Sequence, residues 1–305
     1  MNTLAVAKGV TLVDVHYLGQ DRYIAPCLLE DESGVTVVDP GPTSSLAGLE
    51  GGLAERGLTT ADIHTLLLTH IHLDHAGAAG TLVKRHPNMR VYVHEKGARH
   101  MIDPAKLLAS AQRLYGDKMD YLWGEFLAVP AANVTVLTGG ETITVGGRKL
   151  EVLYTPGHAV HHVSYFDQGD GIGFTGDTTG MRPLGKPCAL PVTPPPDIDL
   201  DGWRVSLAAI LERRPSRLFI THFGPADNPE WHIASMGELL EKWAEQVGAD
   251  LKSGRPDTEA AADFAKARRA ELTTNVTAED FGPMIRTEAL VASWFGLARY
   301  WRNRK

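Results

Sequence analysis

Cysteine is almost missing from this chain: of 305 residues only Cys27 and Cys188 carry a thiol. They stand far apart and form no CxxC pattern, which argues against a disulfide framework and for a reducing compartment. Long apolar runs are missing too. None approaches the roughly 18 residues of a membrane span. Positive charge is in deficit, with 30 Lys and Arg against 37 Asp and Glu and a net charge of −7, so no extended phosphate-binding surface and no nucleic-acid partner is expected. The opening "MNTLAVAKGVTLVDVHYLG" lacks a charged segment followed by an unbroken apolar stretch, so a cytoplasmic location is the expectation. The GxSxG pattern of serine hydrolases does not occur, and no serine or cysteine nucleophile presents itself.

What remains is the composition of an ordinary soluble protein, 43% hydrophobic and 22% charged, long enough for one large domain or two smaller ones. The first third reads as short strands cut by turns: "VTLVDVHYL" (10–18), "YIAPCLLED" (23–31) and "VTVVDPGP" (35–42). Helical spacing follows at 44–57, then a buried strand "HTLLLT" (64–69), a helix from Gly77 to His86 and a strand "RVYVH" (90–94). Residues 95–128 interrupt this alternation, and "PAKLLASAQRLYGDKMDYLWGEFLA" (104–128) reads as one or two amphipathic helices. Strands return at 133–137, 141–145, 149–158, 162–167 and 171–177. Six prolines within 182–199 exclude a helix or central strand and predict a stiff loop. A helix at about 200–213, the strand "RLFITH" (217–222) and a helix at about 230–247 complete the alternation, which predicts an α/β layered fold. Everything after Gly248 reads helical, with a break near "SGRPD" (253–257). The last segment, 288–305, is amphipathic and suits docking on the parent domain or a homodimer contact, with contact to a membrane surface as the less common alternative.

Four apolar strands end in metal-compatible side chains. "TLLLT" runs into His70, His72, Asp74 and His75; "LEVLYTPG" into His158; "GIGFTG" into Asp177; "RLFIT" into His222. Ligand sites in α/β proteins lie beyond the carboxyl ends of strands. Three histidines and an aspartate buried together without a cation would be a costly set of polar groups. Five imidazoles and two carboxylates at one mouth are the chemistry of a binuclear centre, with nitrogen and oxygen donors suited to zinc, iron or manganese.

"THIHLDHAG" matches the HxHxDH signature of the metallo-β-lactamase superfamily, and "TPGHAVHHVSYF", "FTGDT" and "ITHFG" follow in that family's order. The resemblance covers about residues 10–235. It implies an αββα four-layer sandwich, here with a helical insert at about 95–128, a catalytic domain over 1–235 and a helical C-terminal extension over 236–305 packed on the same domain. Carried over by motif, His70, His72 and His158 would hold one metal, Asp74, His75 and His222 a second, and Asp177 would bridge them. "VVDPG" resembles an early strand-end motif of the family, which makes Asp39 a carboxylate that orients a ligand imidazole. Relatives carry Pro-Gly where Val160 and His161 stand. His162 matches the histidine that supports the strand, and His161 reads as a surface residue without a role.

The resemblance implies two divalent ions, zinc first with iron or manganese as alternatives, that activate a water, with Asp74 orienting it or moving its proton. The full ligand set looks most like the glyoxalase II and lactonase branches, so hydrolysis of a small-molecule thioester, lactone or related ester is expected. Two other readings are a persulfide dioxygenase-like oxidoreductase with one iron, and a non-catalytic metal-binding regulator. The insert and the proline loop read as pocket walls, with Tyr115, Tyr121, Trp123 and Phe126 as candidate substrate contacts.

Overall fold

Short β-branched runs in the first half of the chain send alternate side chains into two different apolar clusters. The computed structural model describes residues 2–32, 34–183, 188–274 and 282–304, and within them seven such runs pair in sequence order. They are β1 (Thr3–Ala7), β2 (Val10–Val13), β3 (Cys27–Asp31), β4 (Gly34–Val38), β5 (Ile63–Leu67), β6 (Arg90–His94) and β7 (Val134–Leu137). β1 to β4 pair antiparallel and β4 to β7 parallel. Cys27, Leu29, Val38 and Leu67 face one cluster; Leu28, Val37, Leu66 and Leu68 face the other. A sheet buried on both faces follows from this double alternation. The outer face is covered by α1 (Leu46–Glu55), the short α2 (Leu73–Ala76), α3 (Ala79–Arg85), α4 (Glu95–Ile102), α5 (Ala105–Tyr115) and α6 (Met119–Trp123).

The second sheet holds β8 (Thr142–Val145), β9 (Arg148–Tyr154), β10 (Val163–Asp167), β11 (Ile172–Phe174), β12 (Arg217–Ile220) and β13 (Gly224–Ala226), in the spatial order β13-β12-β11-β10-β9-β8. Val152, Tyr165 and Phe174 share a cluster with Leu12, Leu29 and Leu67, so the two sheets face each other. Tyr165 ties them by donating to the Leu68 carbonyl at 2.8 Å. The far side carries α7 (Leu200–Glu212), α8 (Pro229–Lys252), α9 (Asp257–Leu272) and α10 (Thr287–Asn303). These layers form the αββα sandwich expected from the sequence.

Local chemistry sets several boundaries. The strand read over 10–18 stops at Val13, because the Asp14 carboxylate accepts from the backbone N–H groups of His16 and Arg22 and turns the chain. The helix read over 77–86 is divided between α2 and α3. α8 begins with Asn228 accepting from Trp231 N at 3.1 Å and with Pro229 in its first turn. α10 buries Leu290, Trp294 and Leu297 on one helical face. Trp294 Nε1 donates to Asp250 at 3.0 Å and Trp301 Nε1 to the Ala244 carbonyl at 2.7 Å, which fixes α10 on α8. Of the proline loop 182–199, residues 184–187 lie outside the described set, as do residues 275–281 of the segment read as helical.

Candidate metal centre

Parallel pairing aligns the carboxyl ends of β4 with β5 and of β11 with β12, so four exits open on one edge of the sandwich. Asp39 follows β4, the cluster from His70 to His75 follows β5, Asp177 follows β11 and His222 follows β12; His158 arrives from β9. Two glycines make the approach possible. A Cβ on Gly157, at φ 141°, would lie 2.4 Å from Trp203, and one on Gly176, at φ 45°, would lie 2.5 Å from Thr69 Oγ1 and 2.8 Å from His162 Nε2.

Side-chain partners decide which ring nitrogens are left over. His158 Nδ1 donates to the Val192 carbonyl at 2.7 Å, His222 Nδ1 to the Tyr23 carbonyl at 2.6 Å, and His75 Nδ1 lies 2.8 Å from Asp39 Oδ2. Thr69 Oγ1 donates to Asp39 Oδ2 at 2.8 Å, so it accepts from His70 Nδ1 at 3.1 Å. In each neutral ring the remaining Nε2 is therefore an unprotonated lone pair, and all four face the same space. His70 Nε2 and His158 Nε2 both lie 2.9 Å from His72 Nδ1, which can donate at most one proton. His75 Nε2, His222 Nε2 and Asp177 Oδ1 are buried without a hydrogen-bond partner. Three groups of donor atoms could each hold an ion: His70–His72–His158, His70–His75–Asp177 and Asp74–His75–His222. A fourth grouping, Asp14–His16–Asp21, is different, because both His16 nitrogens are already engaged by Asp21 and Asn2.

The electrostatics agree with this accounting. Asp39, at 0% exposure, accepts from Thr69 N, Thr69 Oγ1, His75 Nδ1 and Thr221 Oγ1 at 2.7–2.8 Å. With Asp74 and Asp177 it gathers three carboxylates against rings that are neutral by default. Burial opposes charge on His75 and His222, yet Asp177 and its neighbours outweigh it and raise both. Burial likewise opposes ionisation of Asp177 and Asp74, but His75 and His222 hold Asp177 well below the usual carboxylate range and Asp74 at about 2. On the other side, burial and the adjacent rings push His70 far down and His72 to about 3. The pocket thus calls for positive charge where His75 Nε2 lies 3.2 Å from Asp177 Oδ1 and His222 Nε2 3.3 Å from Asp74 Oδ2, and a divalent cation can supply it in place of protons on these rings.

All seven side chains singled out by motif meet at this edge, with Asp39 and His162 directly behind them. His162 Nε2 accepts from Asp177 N at 3.2 Å, and its Nδ1 meets Thr155 and Thr178. His161, expected at the surface, is only 6% exposed. It stacks parallel to His70 with Nε2 4.0 Å from Asp197 Oδ2, because the turn after β9 folds it under the proline loop. A cavity of about 1160 Å³ opens over the site, and Tyr115, Tyr121 and Trp123 line it. Phe126 is a correction: it packs against the apolar cluster beneath the first sheet and is not part of the lining. Tyr17, Tyr23 and Arg286 line the cavity as well, and the sequence offered no periodic signal for them. Tyr17 and Tyr23 both lie on the connection between β2 and β3, and Arg286 comes from the far end of the chain.

Comparisons with known proteins agree with the geometry. The sequence profile described as "Metallo-beta-lactamase superfamily" matches residues 24–222. The "Metallo-beta-lactamase fold-containing protein ST1585" of Sulfurisphaera tokodaii is 29% identical over 189 residues, 61% of this chain and 70% of that protein. The hydroxyacylglutathione hydrolase of Aeromonas hydrophila is 30% identical over 166 residues; the match takes in 54% of this chain and only 50% of the hydrolase. The crystal structure of the metallo-beta-lactamase family protein TTHA1429 from Thermus thermophilus superposes with a TM-score of 0.70 at 23% identity, over 98% of this chain and 94% of that one.

Proposed function

The chain belongs to the metallo-β-lactamase superfamily, and from that premise we propose that it is a metal-dependent hydrolase of small thioesters or related esters. The observation that carries this reading is the set of buried atoms without partners, His75 Nε2, His222 Nε2 and Asp177 Oδ1, beside the three mutually facing nitrogens of His70, His72 and His158. Within it, His70, His72 and His158 would hold one divalent ion, Asp74, His75 and His222 a second, and Asp177 would serve both. Zinc suits this nitrogen-rich donor set, with iron or manganese as alternatives. Such a pair supplies a water acidified towards neutrality and a Lewis acid for the substrate carbonyl.

The chain's own groups do the rest. Asp74, whose carboxylate form is favoured by His75 and His222, would accept a hydrogen bond from the water and orient it or move its proton. Asp39 fixes the His75 ring, and through Thr69 the His70 ring. In the hydrolysis, oxygen adds to the acyl carbon, the C–S bond breaks, and the thiolate leaves to be protonated by solvent; a thiol needs little help to depart. Among its relatives, the hydroxyacylglutathione hydrolase acts by name on an acylated glutathione, which favours a thioester as the first substrate to try.

The test is metal analysis of freshly purified protein together with a panel of thioesters, lactones, phosphodiesters and β-lactams. About two ions per chain and preferential thioester or lactone turnover are expected. His72→Ala should abolish that turnover while leaving the far-ultraviolet circular dichroism unchanged. One iron per chain with oxygen uptake on a persulfide would overturn the hydrolase reading, and so would silence on every substrate.

A further inference from the structure

The cavity is built asymmetrically about the two halves of the site. Next to His222, in the Asp74–His75–His222 group, Tyr23 begins a run of aromatic rings. Tyr23 lies 5.2 Å from His222 and 5.5 Å from Tyr17, Tyr17 stacks on Trp123 at 5.8 Å, and Trp123 meets Tyr115 edge-on at 5.2 Å. All four rings line the cavity, and Tyr17 Oη and Trp123 Nε1 are buried without a hydrogen-bond partner. Arg286 and Lys118, the latter in the turn after Tyr115, also line the cavity here, but so do the opposing charges of Asp74 and Asp117.

Next to His72, in the other group, the wall has a different character. His161 lies 5.6 Å from His72, ring to ring, and reaches towards Asp197 and His100. Arg99 and Lys106 stand by His100, and Lys96 stands on the same helix α4 as Arg99. Lys96, Arg99 and Lys106 all line the cavity. None makes an ion pair with a carboxylate among the described residues; Lys96 donates to Tyr154 Oη and Arg99 to His100 Nε2. Apart from Asp74 and Asp177 of the site itself, the acids that share the lining, Asp117, Asp197 and Glu288, pair with none of them. In a chain of net charge −7, three unpaired cations gathered on one flank of a cavity form a local field for an anion.

We infer that the substrate lies across the centre in one direction, with a flat, aromatic acyl group in the Tyr17–Tyr115 lobe and an anionic thiol carrier over Arg99, Lys106 and Lys96. This deepens the thioester reading and rests on it. The carrier's charge is carboxylate or phosphate, and the two are separated by experiment. The wall that grips it comes from the helical insert, so recognition is encoded apart from the metal-holding loops.

The experiment uses uncleavable S-phenacyl thioethers of N-acetylcysteamine, which is neutral, of glutathione, which bears carboxylates, and of coenzyme A, which bears phosphates. Binding to the metal-loaded protein is measured by calorimetry, so recognition is read without turnover. At least one anionic analogue should bind about tenfold more tightly than the neutral one, with an advantage that shrinks as salt rises. The double variant Arg99→Ala/Lys106→Ala should erase that advantage. Tyr115→Ala should weaken the phenacyl analogues more than 2-cyclohexyl-2-oxoethyl ones of the same carrier. Equal affinity for all three carriers, or a preference that survives the double variant, overturns the inference. Carrier preference without hydrolysis of the matching thioesters would support the inference and sink the hydrolase reading instead.

Discussion

Asp39 shows how much can depend on one side chain. Its Oδ2 accepts three hydrogen bonds, from Thr69, His75 and Thr221, in a place closed to water. In Asp39→Asn, an amide N–H₂ at that position would face three donors, so the variant should lose roughly 2–4 kcal/mol in chemical denaturation. Its metal affinity should fall about 10–100-fold in chelator competition. His232 makes a different prediction. Burial lowers its pKa to about 4, and its Nε2 donates to the Thr179 carbonyl at 2.8 Å. Because the folded value lies below the unfolded one of about 6.5, the stabilisation is complete above pH 6.5 and drains away as pH falls towards 4. Over that window wild type should lose about 2–3 kcal/mol more than His232→Gln, a difference that urea titrations at several pH values would read. The residues legible in the sequence were those where chemistry and local pattern coincide, such as His70, His72, Asp74 and His75 behind the apolar run of β5. Tyr17, Tyr23 and the buried His161 were not legible, because their surroundings are assembled from residues distant in the chain, including the Tyr23–His222 contact.

At the level of elements, propensity and packing point in opposite directions at Gly296. An alanine there would normally strengthen α10 by about 1 kcal/mol. Here the added Cβ would come within 1.9 Å of the Thr193 carbonyl oxygen. Gly296→Ala should therefore lower stability by about 1–3 kcal/mol in thermal or urea unfolding. The displaced strand of proline loop also carries Val192, whose carbonyl orients His158, so the variant should retain metal less well than wild type. Helices and buried strands were readable because their apolar period is internal to each segment: α7 and α8 fall within a few residues of where that period places them. The edge strands β1 and β13 escaped notice. They are three to five residues long and acquire their shape by pairing with β2 and β12, and β1 is in addition partly exposed.

At the scale of the whole molecule, the helical extension shares one apolar cluster with the second sheet: Leu290, Trp294 and Leu297 of α10 pack in the same group as Trp243 and Phe219. Calorimetry should accordingly show a single unfolding transition rather than a separate event for the tail. Deleting everything after residue 253 would remove those three side chains, worth roughly 5–9 kcal/mol together, most of an ordinary domain's stability. The truncated protein should precipitate or unfold without cooperativity, and an unchanged Tm would contradict this account. The cations of the α4–α5 insert lie on helices of the outer layer, whereas the histidines follow the ends of strands in the two sheets. Selection could therefore rewrite which molecules this scaffold accepts by altering its outer helices alone, and leave the inherited reaction untouched.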